Sequence, residues 1–364
     1  MGTVYILSDH GKLAKHNDAL MFVSSSGETR KIFLHRTDRI IIAGNIEITG
    51  SALRLIMRNQ IDTIFLSANG KFNGKLEFEE GKNVFLRKRQ YESLKEPDFC
   101  LKIARSIAIG KISNQISFMQ RINRKSNRIN VESTIEQSKR NLAAVEIAKS
   151  IESIRGHEGL GSKLYFSAFR LNINPEWAIF KGRSMNPPRD NVNAVMSFLY
   201  TLLMYRVDSF IEMEGLDPYA GYLHTLEYGK RSLTFDLMEE YRASICDTLA
   251  CALFNLGILT ASDFEIVDFS VTSDDAPLHQ AEADQSETEQ IETSEAIKGI
   301  LLSKVGAKKV AEKFEEKIES VIFYPPENQR MSYQKIIANQ VHRFRRVLQN
   351  EEAEYKPFII RRTP

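Results

Sequence analysis

The sequence predicts an α+β protein: a small β-rich N-terminal domain, residues 1–92, followed by a larger all-helical C-terminal domain, residues 93–364. Three observations carry this. In the first ninety or so residues the apolar runs are short, partly alternating and bounded by Gly, Asp, Asn or Ser turns. Beyond Pro97 the apolar residues recur at helical spacing. The length of 364 residues, with 43% hydrophobic and 26% charged content, suits about two ordinary globular domains with substantial cores.

Taken in order, "TVYILS", "LAKH", "ALMFVSS", "TRKIFLH", "RIIIAG" and "EITG" read as strands. "GSALRLIMRNQI" interrupts them as a helix, and "DTIFLSANGKFNGKLEF" returns to strand with two turn signals in "NGKFNGK". Pro97 opens the next helix in its first turn. "STIEQSKRNLAAVEIAKSIESIRG" is expected to be one helix, with Leu142, Val145, Ala148, Ile151 and Ile154 as its apolar stripe. "DNVNAVMSFLYTLLMYRVDSFI" is apolar nearly all round and predicts a central buried helix, started by Pro187-Pro188 and capped by Asp190 or Asn191. "DLMEEYRASICDTLACALFNLG" follows as a helix ending at Gly257, and "SYQKIIANQVHRFRRVLQN" as a last amphipathic one.

Net charge is +2, but Ser270–Ile297 holds eight acids and no Lys or Arg, so the remainder stands at +10. A basic body with an acidic insert suits a nucleic-acid partner. The insert, 270–297, is poor in aromatics and is expected to be disordered. No basic-then-apolar leader opens the chain, and no apolar run reads as long enough for a membrane span. Cys100, Cys246 and Cys251 form no CxxC pair. Together these features predict a cytoplasmic protein with no membrane partner.

The chemistry is sought where charge is hardest to explain. Asp236, Glu239 and Glu240 share one helical face at i, i+3 and i+4, where they should crowd and repel. The bland reading makes them acids at a helix N-terminus, Asp236 and Glu239 serving as cap and reciprocal partner. Upstream, Glu158 is expected at a helix C-terminus, where its sign opposes the dipole and a counter-cation is wanted. Its "GHEGLGSK" has phosphate-loop glycine spacing but ends Gly-Ser-Lys and follows a helix, so it is no nucleotide-triphosphate site. With His224, these acids make an oxygen-rich set with one imidazole, suited to Mg2+ or Mn2+ rather than structural zinc. Arg183, Arg189, Lys230, Arg231 and Arg242 stand nearby in sequence as candidate phosphate contacts.

"RGHEG", "RSMNPPRDNVNAVMSFLYTLL", "LDPYAGYLHT", "LTFDLMEEYR" and "YKPFIIR", in this order across nearly the whole chain, resemble the CRISPR-associated adaptation integrase family. The resemblance implies a metal-dependent DNA endonuclease and integrase, with Glu158, His224 and Glu239 as ligands of Mg2+ or Mn2+ and Asp236 as an essential or supporting acid. It also implies a homodimer formed through the β domain, joined to a small adaptation partner protein to insert short DNA duplexes into a repeat array. Glu239 stands where some members carry Asp, and the acidic insert is longer than the family pattern. A second reading, of another class, is a non-catalytic DNA-binding scaffold whose acids are only caps; metal dependence separates the two.

Overall fold

The alternating runs at the N-terminus become β1 (Gly2–His16), β2 (Ala19–Ser24), β3 (Thr29–Ile32), β4 (Thr37–Ile48), β5 (Asp62–Leu66) and β6 (Phe72–Lys75). The structure, a computed structural model, describes residues 2–66, 72–76, 83–125, 129–184, 187–268 and 298–360. Within them these strands form a mixed sheet in the order β3-β2-β1-β4-β5-β6, β4 running parallel to both β1 and β5. The strands are fewer and longer than expected. "TVYILS" and "LAKH" belong to the single strand β1, which passes the intervening turn residues by a register irregularity between Leu7 and His10. Helix α1 (Gly50–Arg58), capped by the Thr49 side chain, makes the crossover from β4 to β5.

Period-two alternation divides the sheet's two faces. Ile6, Ile40 and Ile42 pack with Ala52 and Ile56 of α1, while Ile41, Ile64 and Leu66 face the helices. α2 (Val84–Ser93) and α3 (Pro97–Lys125) follow; the expected domain boundary at 92/93 falls at the last turn of α2. The stretch expected as one helix is two, α4 (Glu132–Ile147) and α5 (Ile151–Phe169). Ala148 leaves the helix at ψ 137, and the Ser150 side chain accepts from Ser153 N to start α5 anew.

α6 (Asn191–Met213) starts at Asp190, whose side chain accepts from Asn193 N at 2.7 Å. By length and composition α6 would also cross a membrane, which corrects the expectation that no run is long enough; here it is largely buried inside the protein. Each fully buried Leu or Val on it, such as Leu199 or Val207, contributes about 1.5–3 kcal/mol. α7 (Ser232–Tyr241) runs through a π-helical turn, Arg242–Asp247, into α8 (Thr248–Asn255).

The C-terminal part is not all-helical. β7 (Phe264–Asp268) pairs with β8 (Lys298–Leu302) across the acidic insert, which itself lies outside the described residues. After α9 (Lys304–Glu319), β9 (Val321–Tyr324) and β10 (Gln329–Ser332) form a hairpin, and α10 (Tyr333–Leu348) completes the helices. The hairpin turn places Asn328 at φ 51, a left-handed position that Asn tolerates. These strands are too short to show a period against the surrounding helices.

A polar seam joins sheet to helices. Arg39 of β4 donates to Asp62 at 2.6 Å and to Ser209 of α6, and Arg206 of α6 holds Glu315 of α9. Asp208 receives Lys75 of β6 at 3.4 Å, together with Arg231 and Thr234 at the start of α7. The sheet edge is thereby tied to the helix that carries the acids.

Candidate active site

Asp236, Glu239 and Glu240 are all buried, yet they do not crowd. α7 begins at Ser232 without a side-chain cap, so Asp236 is a mid-helix residue and no N-cap. Its carboxylate takes the Tyr222, Leu223 and His224 amides at 2.5, 3.0 and 2.9 Å and His224 Nδ1 at 2.6 Å. The loop can lie this close because residue 221 is glycine: a Cβ there would sit 2.5 Å from the Ser232 carbonyl carbon. Glu240 goes elsewhere. It accepts from Gln340 Nε2 at 3.1 Å, the Tyr355 hydroxyl and the Phe358 amide, and burial still pushes its carboxyl up to about 7. Three acids one turn apart are thus satisfied by three different structures.

Glu239 alone turns to the site. Its Oε1 lies 3.3 Å from Arg242 Nη1 and 3.8 Å from His224 Nε2, and its Oε2 lies 3.0 Å from Lys111 Nζ. Burial opposes its ionisation, but Arg242, Lys111 and His224 outweigh that and hold the carboxyl below its usual range. Oε2 is buried and makes no well-aligned hydrogen bond. Glu158, expected at a helix end, is instead inside α5. The "GHEGLGSK" stretch is helical throughout, and Gly156 has open space beside it rather than a close backbone neighbour. Glu158 Oε1 accepts from Ser162 Oγ at 3.0 Å, one turn on, and pairs with Lys111.

The structure therefore brings Glu158 and Glu239 together on the Lys111 ammonium, with His224 Nε2 3.8 Å from Glu239. Among the described residues no three His, Cys, Asp or Glu side chains stand as a closed coordination sphere. The donor set nonetheless fits a hard divalent cation: two carboxylates, a carboxylate oxygen without a well-aligned donor, and an imidazole. In the neutral tautomer whose Nδ1–H donates to Asp236, the lone pair is on Nε2, and a carboxylate behind a histidine is the usual outer support of a metal ligand.

Of the five basic candidates, Arg242 lies beside Glu239 and stacks on Tyr200, with Arg183 on the same ring at 5.0 Å. Arg183 also donates to Asn193 at 2.8 Å. Arg189 is exposed, and Lys230 reaches Thr225 and Glu227 at 3.1 Å. Arg231 spans both oxygens of buried Asp208 at 2.9 and 2.7 Å, so its charge is matched inside the protein. Tyr200 and Tyr165 both donate to Asp247 at 2.7 Å, and burial still pushes Asp247 up to about 6.

Lys111, Asn114 and Ser162 escaped the sequence reading. One signal was present: Lys111 interrupts "IAIGKISNQISF", and a lysine inside an apolar helix needs an acid. Asn114, one turn further, donates to the Glu240 and Phe358 carbonyls at 2.8 Å and accepts from Ile360 N. Gly110 lets residues 355–360 pass, since a Cβ there would lie 2.7 Å from Pro357 Cβ and 3.3 Å from Glu240 Cγ. Gly110→Val is expected to displace this segment and destabilise the fold by about 1–3 kcal/mol. A denaturant midpoint equal to wild type would show the segment to be loosely seated.

Residues 4–280, more than half of the chain, match the family model described as CRISPR associated protein Cas1. A curated relative from Thermus thermophilus, CRISPR-associated endonuclease Cas1 3, is 30% identical over 99% of this chain and 98% of its own length. Among solved structures, a CAS1 protein from Thermotoga maritima superposes with TM-score 0.78 at 21% identity, over 97% of this chain and 99% of that one. A casposase bound to integration product superposes with TM-score 0.81 at 20% identity, covering 99% and 95%. Fold and relatives together define an enzyme of the nuclease class. The chain belongs to the Cas1 family of CRISPR-associated endonucleases.

Proposed function

We propose that this chain cuts and rejoins DNA phosphodiesters at one divalent cation, Mg2+ or Mn2+, held by Glu158, His224 and Glu239, and so inserts short duplexes into a repeat array during adaptation. The observation that supports this best is the convergence of two helix-borne carboxylates on Lys111, with His224 beside Glu239 and Asp236 behind the imidazole. A cation bound there supplies Lewis-acid stabilisation of the phosphoryl oxygens and lowers the pKa of the attacking water or 3′-hydroxyl. The protein's own part is positioning. Asp236 fixes the loop and the ring of His224, so Nε2 faces Glu239; we read Asp236 as a positioning acid and not a ligand. Arg242 keeps Glu239 ionised, and Arg189 and Lys230 are the basic side chains best placed by exposure or sequence to hold backbone phosphates. Strand transfer exchanges one phosphodiester for another, so no nucleotide-triphosphate site is required.

The test is incubation with plasmid DNA and Mn2+, with and without chelator. Nicking and strand transfer that stop on chelation are the expected result. Binding without any cation-dependent product points instead to the scaffold reading. We further propose that residues 1–92 form a homodimer and that the dimer joins a small adaptation partner protein in the cytoplasm. The β-rich segment carries no candidate chemistry, which motivates its assignment. Sedimentation of the full chain is expected to give a dimer, and a charge placed on the exposed residues Val23 of β2 and Phe33 just after β3 is expected to shift it toward monomer. A monomeric full chain at micromolar concentration sinks the idea.

A further inference from the structure

A lysine carried into a protein interior must be matched by acid, and Lys111 is matched twice. α3 places it among the buried residues Ala108 and Ile112, with its side chain only 8% exposed. Its ammonium pairs with Glu158 of α5 and with Glu239 of α7, two side chains from helices otherwise separate in sequence. Each carboxylate has a second partner close by in sequence, Ser162 of α5 for Glu158 and Arg242, in the turn after α7, for Glu239, and Lys111 spans the two.

We infer that Lys111 is a built-in counter-cation. It holds Glu158 and Glu239 together when no divalent ion is present, and it must move aside for one to bind. The inference rests on the ligand set proposed above and adds a residue that sets how tightly the cation is held. Its physical basis is simple. Two carboxylates drawn to one ammonium, Glu239 buried and Glu158 largely so, repel each other, so the pair needs a positive charge at all times. An ammonium and a divalent ion within a few ångströms also repel, so the resident charge weakens the visiting one. Lys111 therefore exchanges cation affinity for a site that stays formed while empty.

Thermal unfolding of the full chain without DNA, titrated with Mn2+, tests this apart from catalysis. Lys111→Met is expected to melt lower than wild type in chelator, and its half-maximal stabilisation is expected at a Mn2+ concentration lower by roughly tenfold or more. Lys111→Arg, which keeps the charge, should retain the wild-type midpoint or a higher one. An unchanged or higher midpoint in Lys111→Met overturns the inference while leaving the ligand set standing. Mn2+ that stabilises neither wild type nor variant removes the ligand set itself. Should Lys111→Met not fold in chelator, refolding with Mn2+ decides: recovery supports the counter-cation role, and failure to recover overturns it.

Discussion

Glu239→Gln is expected to abolish cation-dependent cleavage and strand transfer, with a loss of about a thousandfold or more, while the protein remains folded. A cation's charge stabilisation amounts to several kcal/mol, and each 1.36 kcal/mol is about tenfold in rate. Gln keeps the volume of Glu in a site that is 2% exposed, so no cavity opens. It removes the one carboxylate that meets Arg242, Lys111 and His224 together. Glu158→Gln and His224→Ala should fail in the same way, each losing a ligand. The check is a nicking assay with Mn2+ beside circular dichroism of the same preparations. Activity within tenfold of wild type in the folded Glu239→Gln protein takes Glu239 out of the site.

Asp236→Asn should act through stability as much as through chemistry. The carboxylate accepts three backbone amides and the imidazole Nδ1–H in a fully buried place. An Asn side chain brings one acceptor oxygen and an NH2 that faces donors, so at least one amide is left without a partner. Each such buried loss costs about 1–3 kcal/mol, which makes a total near 3 kcal/mol or more reasonable. The released loop would also free His224 to turn. The expected result is a lower unfolding midpoint together with weaker Mn2+ stabilisation. His224→Ala serves as contrast: it removes only the ring and should keep a midpoint nearer wild type. A wild-type midpoint in Asp236→Asn would mean the loop is held by other contacts.

How far the sequence could be read differs from element to element, for physical reasons. The β-rich opening, the cap at Asp190 and the buried character of α6 follow from local chemistry and were visible. The break at Ala148–Ser150 was hidden by an apparent stripe. Leu142, Val145, Ala148, Ile151 and Ile154 are spaced by threes, and each three-residue step turns about 300°. Such a set winds around a helix and marks no single face. The Ser150–Ser153 start signal was the better guide.

The acids show the opposite limit. Spacing placed Asp236, Glu239 and Glu240 on adjacent directions of one helix but said nothing about reach. A short Asp meets the loop behind it, while two longer Glu side chains extend to α3 and to the C-terminal segment. Those partners, Lys111 and Tyr355, lie more than a hundred residues from Glu240 in either direction. No local pattern encodes such a meeting. Arg231 illustrates the same point, since its basic charge suggested phosphate while its partner is Asp208.

The segment that seats Glu240 has a temporal meaning as well. Tyr355 and Phe358 follow Glu240 by 115 and 118 residues, so a ribosome delivers Glu158, His224 and Glu239 long before it delivers the groups that neutralise their neighbour's burial. Until then Glu240 has neither the Tyr355 hydroxyl nor the Phe358 amide, and burying it against α3 without them would leave its carboxyl short of donors. The proposed ligand set is therefore expected to take its final arrangement only once residues 355–360 have been synthesised.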